Sequence, residues 1–436
     1  MTAPPVPPPS VAPAPGFASA QMGLGNSGSL RLSGLHFGAA MLFLLAGAAG
    51  LFWIAPDLAA GRFPEARVAG VTHLFTLGWL TTTIFGALYQ LLPVALGTPV
   101  RSERAGYASL LTFVPGTALF AAGVMRNSTM LHHAGIALLS AGILVVATNV
   151  ALTLRRATRR DVTWWAIALA LTALTSTLVL GVVLLHNLHT GFLEAARFRM
   201  LSVHLHVALV GWALLMIVGI SQRLLPMFLL SHGVDARWST RAVALLAGGV
   251  AVLATGLALG APIAAWLGVA LLEGGVISFI VQATLFFRAR VRRRIDVGMR
   301  FVATGLLFLA GAAVLGPMAL AFGTTQPRIA TAYVIAGLLG GIVLYVVGHF
   351  YKVVPFLAWI AHYRGRMGRE TVPAVADLYS SRVATVQWAL MSVACAILIA
   401  GTLAGHAHCT RVGSVLFAAG VLLFTSQIIR VARSPR

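Results

Sequence analysis

The chain has 436 residues, of which 59% are hydrophobic and only 9% charged, a balance that excludes an ordinary water-soluble domain and points to a bilayer protein. Its formal charge of +21 would suggest nucleic acid in a soluble protein; in a membrane protein it predicts orientation and contact with anionic lipid, and no nucleic-acid partner is expected. The short alternating segments of a β-barrel are missing.

In chain order, residues 1–30, "MTAPPVPPPSVAPAPGFASAQMGLGNSGSL", are rich in Pro, Ala, Gly and Ser and lack the basic start and apolar core of a signal peptide, which predicts a disordered cytoplasmic tail. From there to residue 436 a single transmembrane domain is expected. Its apolar runs, each of about twenty residues, match the length a helix needs to cross roughly 30 Å of hydrocarbon. Twelve of them are centred near Ala46, Ile84, Pro115, Ala141, Leu171, Leu214, Gly249, Gly275, Gly311, Leu344, Cys395 and Val421. Backbone inside lipid must satisfy its own hydrogen bonds, so all twelve are predicted as helices and the fold as an all-α membrane protein. Of the 31 Lys and Arg, 22 fall on the side of the tail and the C-terminus and seven in the opposite loops. Both termini are therefore predicted to be cytoplasmic.

The second and sixth spans are copies of one another. "HLFTLGWLTTTIFGALYQLLP" (73–93) aligns with "HVALVGWALLMIVGISQRLLP" (206–226) at an offset of 133, with eight of 21 positions identical. His73 falls on His206, Trp79 on Trp212 and Pro93 on Pro226. A fainter third copy, "IAGLLGGIVLYVVGHFYKVVP" (335–355), keeps Gly340, Gly348 and Pro355 and lies in the tenth span. Three pseudo-equivalent four-helix units are expected, about 31–160, 161–295 and 296–436, all inserted in the same sense because each crosses the bilayer an even number of times.

That parity places His73 and His206 at matching depth near the outer face. Two imidazoles at one level on pseudo-equivalent helices suit a single planar metal cofactor, since neutral imidazole is a good ligand for haem iron and for copper. His204 precedes His206 by two residues, about 200° of helix rotation, so the two point to opposite sides of one span and could serve two adjacent sites. The alternative is that these are polar helix-end groups touching headgroups or bonding between helices. His132, His133, His186 and His189 also fall toward the outer side. They offer a second metal site, with solvated loop histidines as the alternative reading. "GHAHC", with Cys409, is a weaker copper candidate; Cys395 is expected to pack inside its span, and a disulfide between the two is not expected.

"HLHVALVGWALLMIVGISQRLLP" resembles the helix of haem-copper oxidase catalytic subunits that carries His-x-His, one histidine for each haem. "HLFTLGWLTTTIFGALYQLLP" resembles the second helix of that family with its low-spin haem ligand. The plan of twelve helices in three arcs is also similar, with a flavour closest to cbb-type oxidase subunits and the NnrS-like proteins linked to nitric oxide stress. The resemblance implies a haem-binding scaffold, b-type haem, His73 and His206 as the axial pair, and His204 as a ligand on the other side. It also implies an oxidoreductase of a bacterial inner membrane, handling electrons or a small gas such as oxygen or nitric oxide. Two departures stand out. The His-x-His lies on the sixth span rather than the tenth, and the seventh span, "RWSTRAVALLAGGVAVLATGLALG", has none of the family's copper-ligating histidines, so a complete oxidase copper site is not expected and copper is a secondary candidate.

Glu273 is the only acid expected well inside a span and is a candidate proton-relay group, the alternative being a neutral or hydrogen-bonded carboxyl. Arg223 and Lys352 lie near cytoplasmic helix ends, where long basic chains snorkel to headgroups. Arg197, Arg199 and Arg411 are candidate partners for haem propionates by location. Without a Cys-x-x-Cys-His motif the chain attaches no c-type haem in that way, and its electron donor is expected to be another protein or a quinol. A transporter built on the three repeats, with Glu273, His349 and Lys352 along its path, is the competing function, and a metal-handling accessory protein the third.

Overall fold

The computed structural model describes residues 30–433, and each of the twelve expected centres falls inside a helix long and apolar enough to span a bilayer. The helices are α1 (Leu30–Ala59), α2 (Ala66–Leu96), α3 (Glu103–Arg126), α4 (Thr129–Arg156), α5 (Val162–Thr190), α6 (Glu194–Leu229), α7 (Arg237–Leu259), α8 (Pro262–Arg288), α9 (Val297–Phe322), α10 (Pro327–Arg366), α11 (Ser381–Ala404) and α12 (Ala407–Ala432). No strand occurs among the described residues. The expected tail, apart from Leu30, lies outside them. Helix starts follow local chemistry: Ser102, Ser128, Asp161, Asp296 and Ser380 cap α3, α4, α5, α9 and α11 by accepting a hydrogen bond from a first-turn amide. At their far ends α2 and α11 stop at Gly97 and Gly405, whose φ of 65° and 75° suits a residue without Cβ.

The three sequence copies form the centre. Of their apolar stretches 83% (α2), 72% (α6) and 78% (α10) is buried by protein, against at most half for any other helix, so the remaining nine surround them and face lipid. The inner helices are tied to one another pairwise. The Trp212 indole donates to Thr81 Oγ1 at 3.1 Å between α6 and α2, Ser221 and Tyr345 share a 2.6 Å hydrogen bond between α6 and α10, and Trp79 packs on Phe350 at 4.8 Å between α2 and α10.

Each inner helix also opens into a π-helical stretch at the same place: Leu74–Thr81, Val207–Leu214 and Ala336–Val343. These begin directly after His73, His206 and Ile335, the aligned residues of the three copies. A π turn widens the helix and re-phases its faces, and such turns concentrate at functional sites. In α2 the hydroxyls of Thr81 and Thr82 bond back to the carbonyls of Thr76 and Leu77, five residues earlier.

The outer helices repeat as well. In the α3–α4 hairpin Gly116, Gly123, Gly135 and Gly142 sit against the partner backbone, where a Cβ would fall 2.5–2.8 Å from Leu139, His132, Phe120 and Phe113. At an offset of 133 come Gly249, Gly256, Gly268 and Gly275 of the α7–α8 hairpin, against Leu272, Ala265, Leu253 and Leu246. Gly401, Gly413 and Gly420 of α11 and α12 continue the series against Thr410, Leu398 and Met391. Small residues at these seams let antiparallel helices approach closely in lipid. The α3–α4 and α7–α8 seams thus make the same contacts at the same spacing, and the α11–α12 seam makes three of the four.

Candidate functional site

The three histidines expected to carry the cofactor lie at the arginine-poor end of α2 and α6, and their pairing differs from the expectation. His73 faces His204, with ring centroids 6.4 Å apart, whereas His206 points away into a separate cavity. In-line coordination of two imidazoles, with metal–nitrogen bonds of about 2 Å and each ring centre roughly 1 Å behind its nitrogen, places the centroids about 6 Å apart. The His73–His204 spacing fits that arrangement. His73 Nδ1 donates to the Ala69 carbonyl at 2.7 Å, which fixes the tautomer and leaves Nε2 with its lone pair. His204 Nδ1 is buried and has no hydrogen-bond partner. The Phe120 ring lies edge-on to His73 at 5.1 Å.

His206 is oriented in the same way, its Nδ1 donating to the Ser202 carbonyl at 2.8 Å. It forms part of the wall of a partly open cavity of about 820 Å³ between α6 to α10 and the α1–α2 connection, a size that suits a cofactor. Tyr333 of α10 stacks on the His206 ring at 5.9 Å and places its hydroxyl 3.2 Å from Nε2. Glu273 reaches in from α8 toward Gly316 and Tyr333. The middle of the cavity is lined by leucines and valines, and its mouth by Arg62, Arg197 and Arg199. An apolar slot with one imidazole on its wall and guanidinium groups at its opening matches the build of haem, a flat apolar ring with two carboxylates at one edge.

Tyr333 and Arg62 were not singled out from sequence. Tyr333 nevertheless had a signal, because it occupies in the third copy the position that His204 occupies in the second, two residues before the aligned His206 and Ile335. One pair of repeat positions thus builds both contacts, His73 with His204 and His206 with Tyr333.

The other candidates divide. His132, His133 and His189 come together where α4 begins and α5 ends, with His189 5.4 Å from His132 and 5.8 Å from His133 between ring centroids. His186 turns away to pack on Phe192. Among the described residues no three His, Cys, Asp or Glu side chains stand ready around one ion. His406, His408 and Cys409 are exposed, Cys395 is fully buried, and both cysteines are free. Arg411 is exposed on α12 and takes no part in the cavity. Arg223 and Lys352 do more than reach headgroups, since each pairs with the capping aspartate of a neighbouring helix, Asp161 and Asp296. Among the described residues one acid is fully buried: Asp57, near the end of α1, is held by Arg62 and Arg67.

No protein-family model matches the chain, and no curated protein matches it in sequence. In three dimensions it is similar to a haem-copper terminal oxidase whose dimer was solved by cryo-EM, with a TM-score of 0.59 over 94% of this chain and 85% of that chain, at 13% sequence identity. Likeness at that identity is a likeness of fold: the chain is a multi-pass, helical membrane protein whose fold is similar to that of this haem-copper terminal oxidase chain.

Proposed function

We propose that the protein binds haem and transfers electrons within the bilayer. His73 and His204 would together hold a b-type haem, and His206 would hold a second haem in the adjoining cavity, with Arg62, Arg197 and Arg199 placed to receive its carboxylates. The observation that carries this reading is the 6.4 Å spacing of the His73 and His204 rings across two inner helices, with His206 on the opposite face of α6. Haem would supply one-electron chemistry and, at the second position, a site for a small gas such as oxygen or nitric oxide. The chain's own residues orient the imidazoles through the Ala69 and Ser202 carbonyls, exclude water with the leucine-lined walls, and set the Tyr333 hydroxyl and the Glu273 carboxyl beside the second position as proton-bearing groups. The donor is a redox protein or a quinol. The membrane is the bacterial inner membrane, with both termini cytoplasmic and the histidines toward the outside, and the three glycine-seamed hairpins with their inner helices are three copies of one unit.

The test is the reduced-minus-oxidised visible spectrum, with iron and copper content, of the full-length protein expressed with ample haem. His73→Ala and His204→Ala should each abolish the low-spin signal. His206→Ala should keep it and lose the component that binds carbon monoxide. A colourless, iron-free wild type overturns the haem reading, and loss of the low-spin signal in His206→Ala with retention in His204→Ala restores the pairing expected from sequence.

A further inference from the structure

His132 makes no hydrogen bond that would call for a histidine in the fold. It is fully buried, neither ring nitrogen has a hydrogen-bond partner, and the equivalent positions of the other two hairpins hold Ala265 and Thr410. Packing at this seam is therefore met by a smaller side chain, and two buried nitrogens without partners are a cost that a ligand would offset. Beside it, at the ends of their helices, stand two exposed histidines, His133 and His189. His133 Nδ1 donates to the Thr129 carbonyl at 2.8 Å, which leaves its Nε2 free as a ligand atom.

We propose that His132, His133 and His189 form a transition-metal site at the arginine-poor end of α4 and α5, separate from the haem positions. The ring spacings support it. Two imidazoles bound to one tetrahedral ion, with metal–nitrogen bonds of about 2 Å, have centroids about 5 Å apart. His189 lies 5.4 Å from His132 and 5.8 Å from His133, so it stands near shared-ion spacing from each, and its exposed ring and that of His133 would turn to meet a common ion. A set of neutral imidazoles without carboxylate or thiolate selects the copper and zinc class over magnesium or calcium. His186 sits one turn before His189 but packs on Phe192 and is not a ligand. Water takes the fourth position.

The experiment uses the full-length protein in detergent, carrying an affinity tag without histidine. After stripping with a chelator it is titrated with Zn²⁺ and, under reductant, with Cu⁺ against a colorimetric competitor. The wild type should take up one equivalent tightly, with nitrogen ligands in the X-ray absorption spectrum of the bound metal. His132→Thr and His189→Ala should each weaken that binding at least tenfold, the first in a fold-compatible form because Thr410 fills the same seam position in α12. His186→Ala and His408→Ala should bind as wild type. No tight equivalent in the wild type, several weak equivalents only, or unchanged affinity in His132→Thr would overturn the site. Haem content is read separately and should not differ among these variants, so the outcome is independent of the haem reading.

Discussion

Asp57 offers a stability test whose size follows from its surroundings. Its carboxylate is fully buried, with Arg62 Nη2 2.7 Å from Oδ1 and Arg67 Nε 2.5 Å from Oδ2, while the two arginine side chains keep 48% and 41% of their exposure. Removing one arginine leaves the carboxylate with the other, and the lost partner was half in solvent. Arg62→Ala or Arg67→Ala should each cost about 1 kcal/mol. Removing both strands a buried negative charge, which costs about 3–5 kcal/mol, so the double variant should exceed the sum of the singles by about 1–3 kcal/mol. Adding Asp57→Asn to the double variant removes the charge and should recover about half of the loss. The assay is loss of helical circular dichroism as SDS is titrated into dodecyl maltoside micelles. Additive singles, or a triple variant no more stable than the double, would refute the idea that burial of the carboxylate makes this triad matter.

Two further perturbations probe the packing. Gly268→Leu puts a Cβ 2.6 Å from that of Leu253 at the α7–α8 seam and should cost about 3 kcal/mol in the same assay, whereas Gly311→Leu, which meets nothing within 4 Å, should be neutral. Ser221→Ala and Tyr345→Phe each break the buried 2.6 Å bond between α6 and α10 and should cost about 1–2 kcal/mol, and the double variant no more than the worse single, because one bond is lost once.

The helices were legible because hydrocarbon thickness imposes one length on every span, and the likeness of α2, α6 and α10 was legible as three sequence copies, whereas their place at the centre emerged only from their burial. What the sequence hid was short-range geometry. The π-helical stretches re-phase the inner helices just after His73, His206 and Ile335, and no composition signal marks them. The glycine seams were present in the sequence as the offset of 133, running from Gly116 to Gly142 and again from Gly249 to Gly275, but the residues between them diverge too far for alignment to reveal it. Asp57 was missed because it lies close to the end of α1, where an acid reads as a loop residue.

That His73 lies beside His204 and not beside His206 has a geometric cause. In the expected arrangement of three copies related by rotation, aligned residues each point toward the next interface and not toward their own copy; such contacts are heterologous. His73 therefore looks from α2 toward α6 and His206 from α6 toward α10. The partner of each must come from a different repeat position on the following helix, and a step of two residues, about 200° of turn, supplies it. His204 meets His73 in this way, and Tyr333 meets His206. The third combination would draw Ile335 from the last copy and Val71 from the first, both apolar. One interface between the inner helices thus carries two imidazoles, the next an imidazole and a phenol, and the third two apolar side chains, so the three are chemically unequal and only the first two offer ligand atoms.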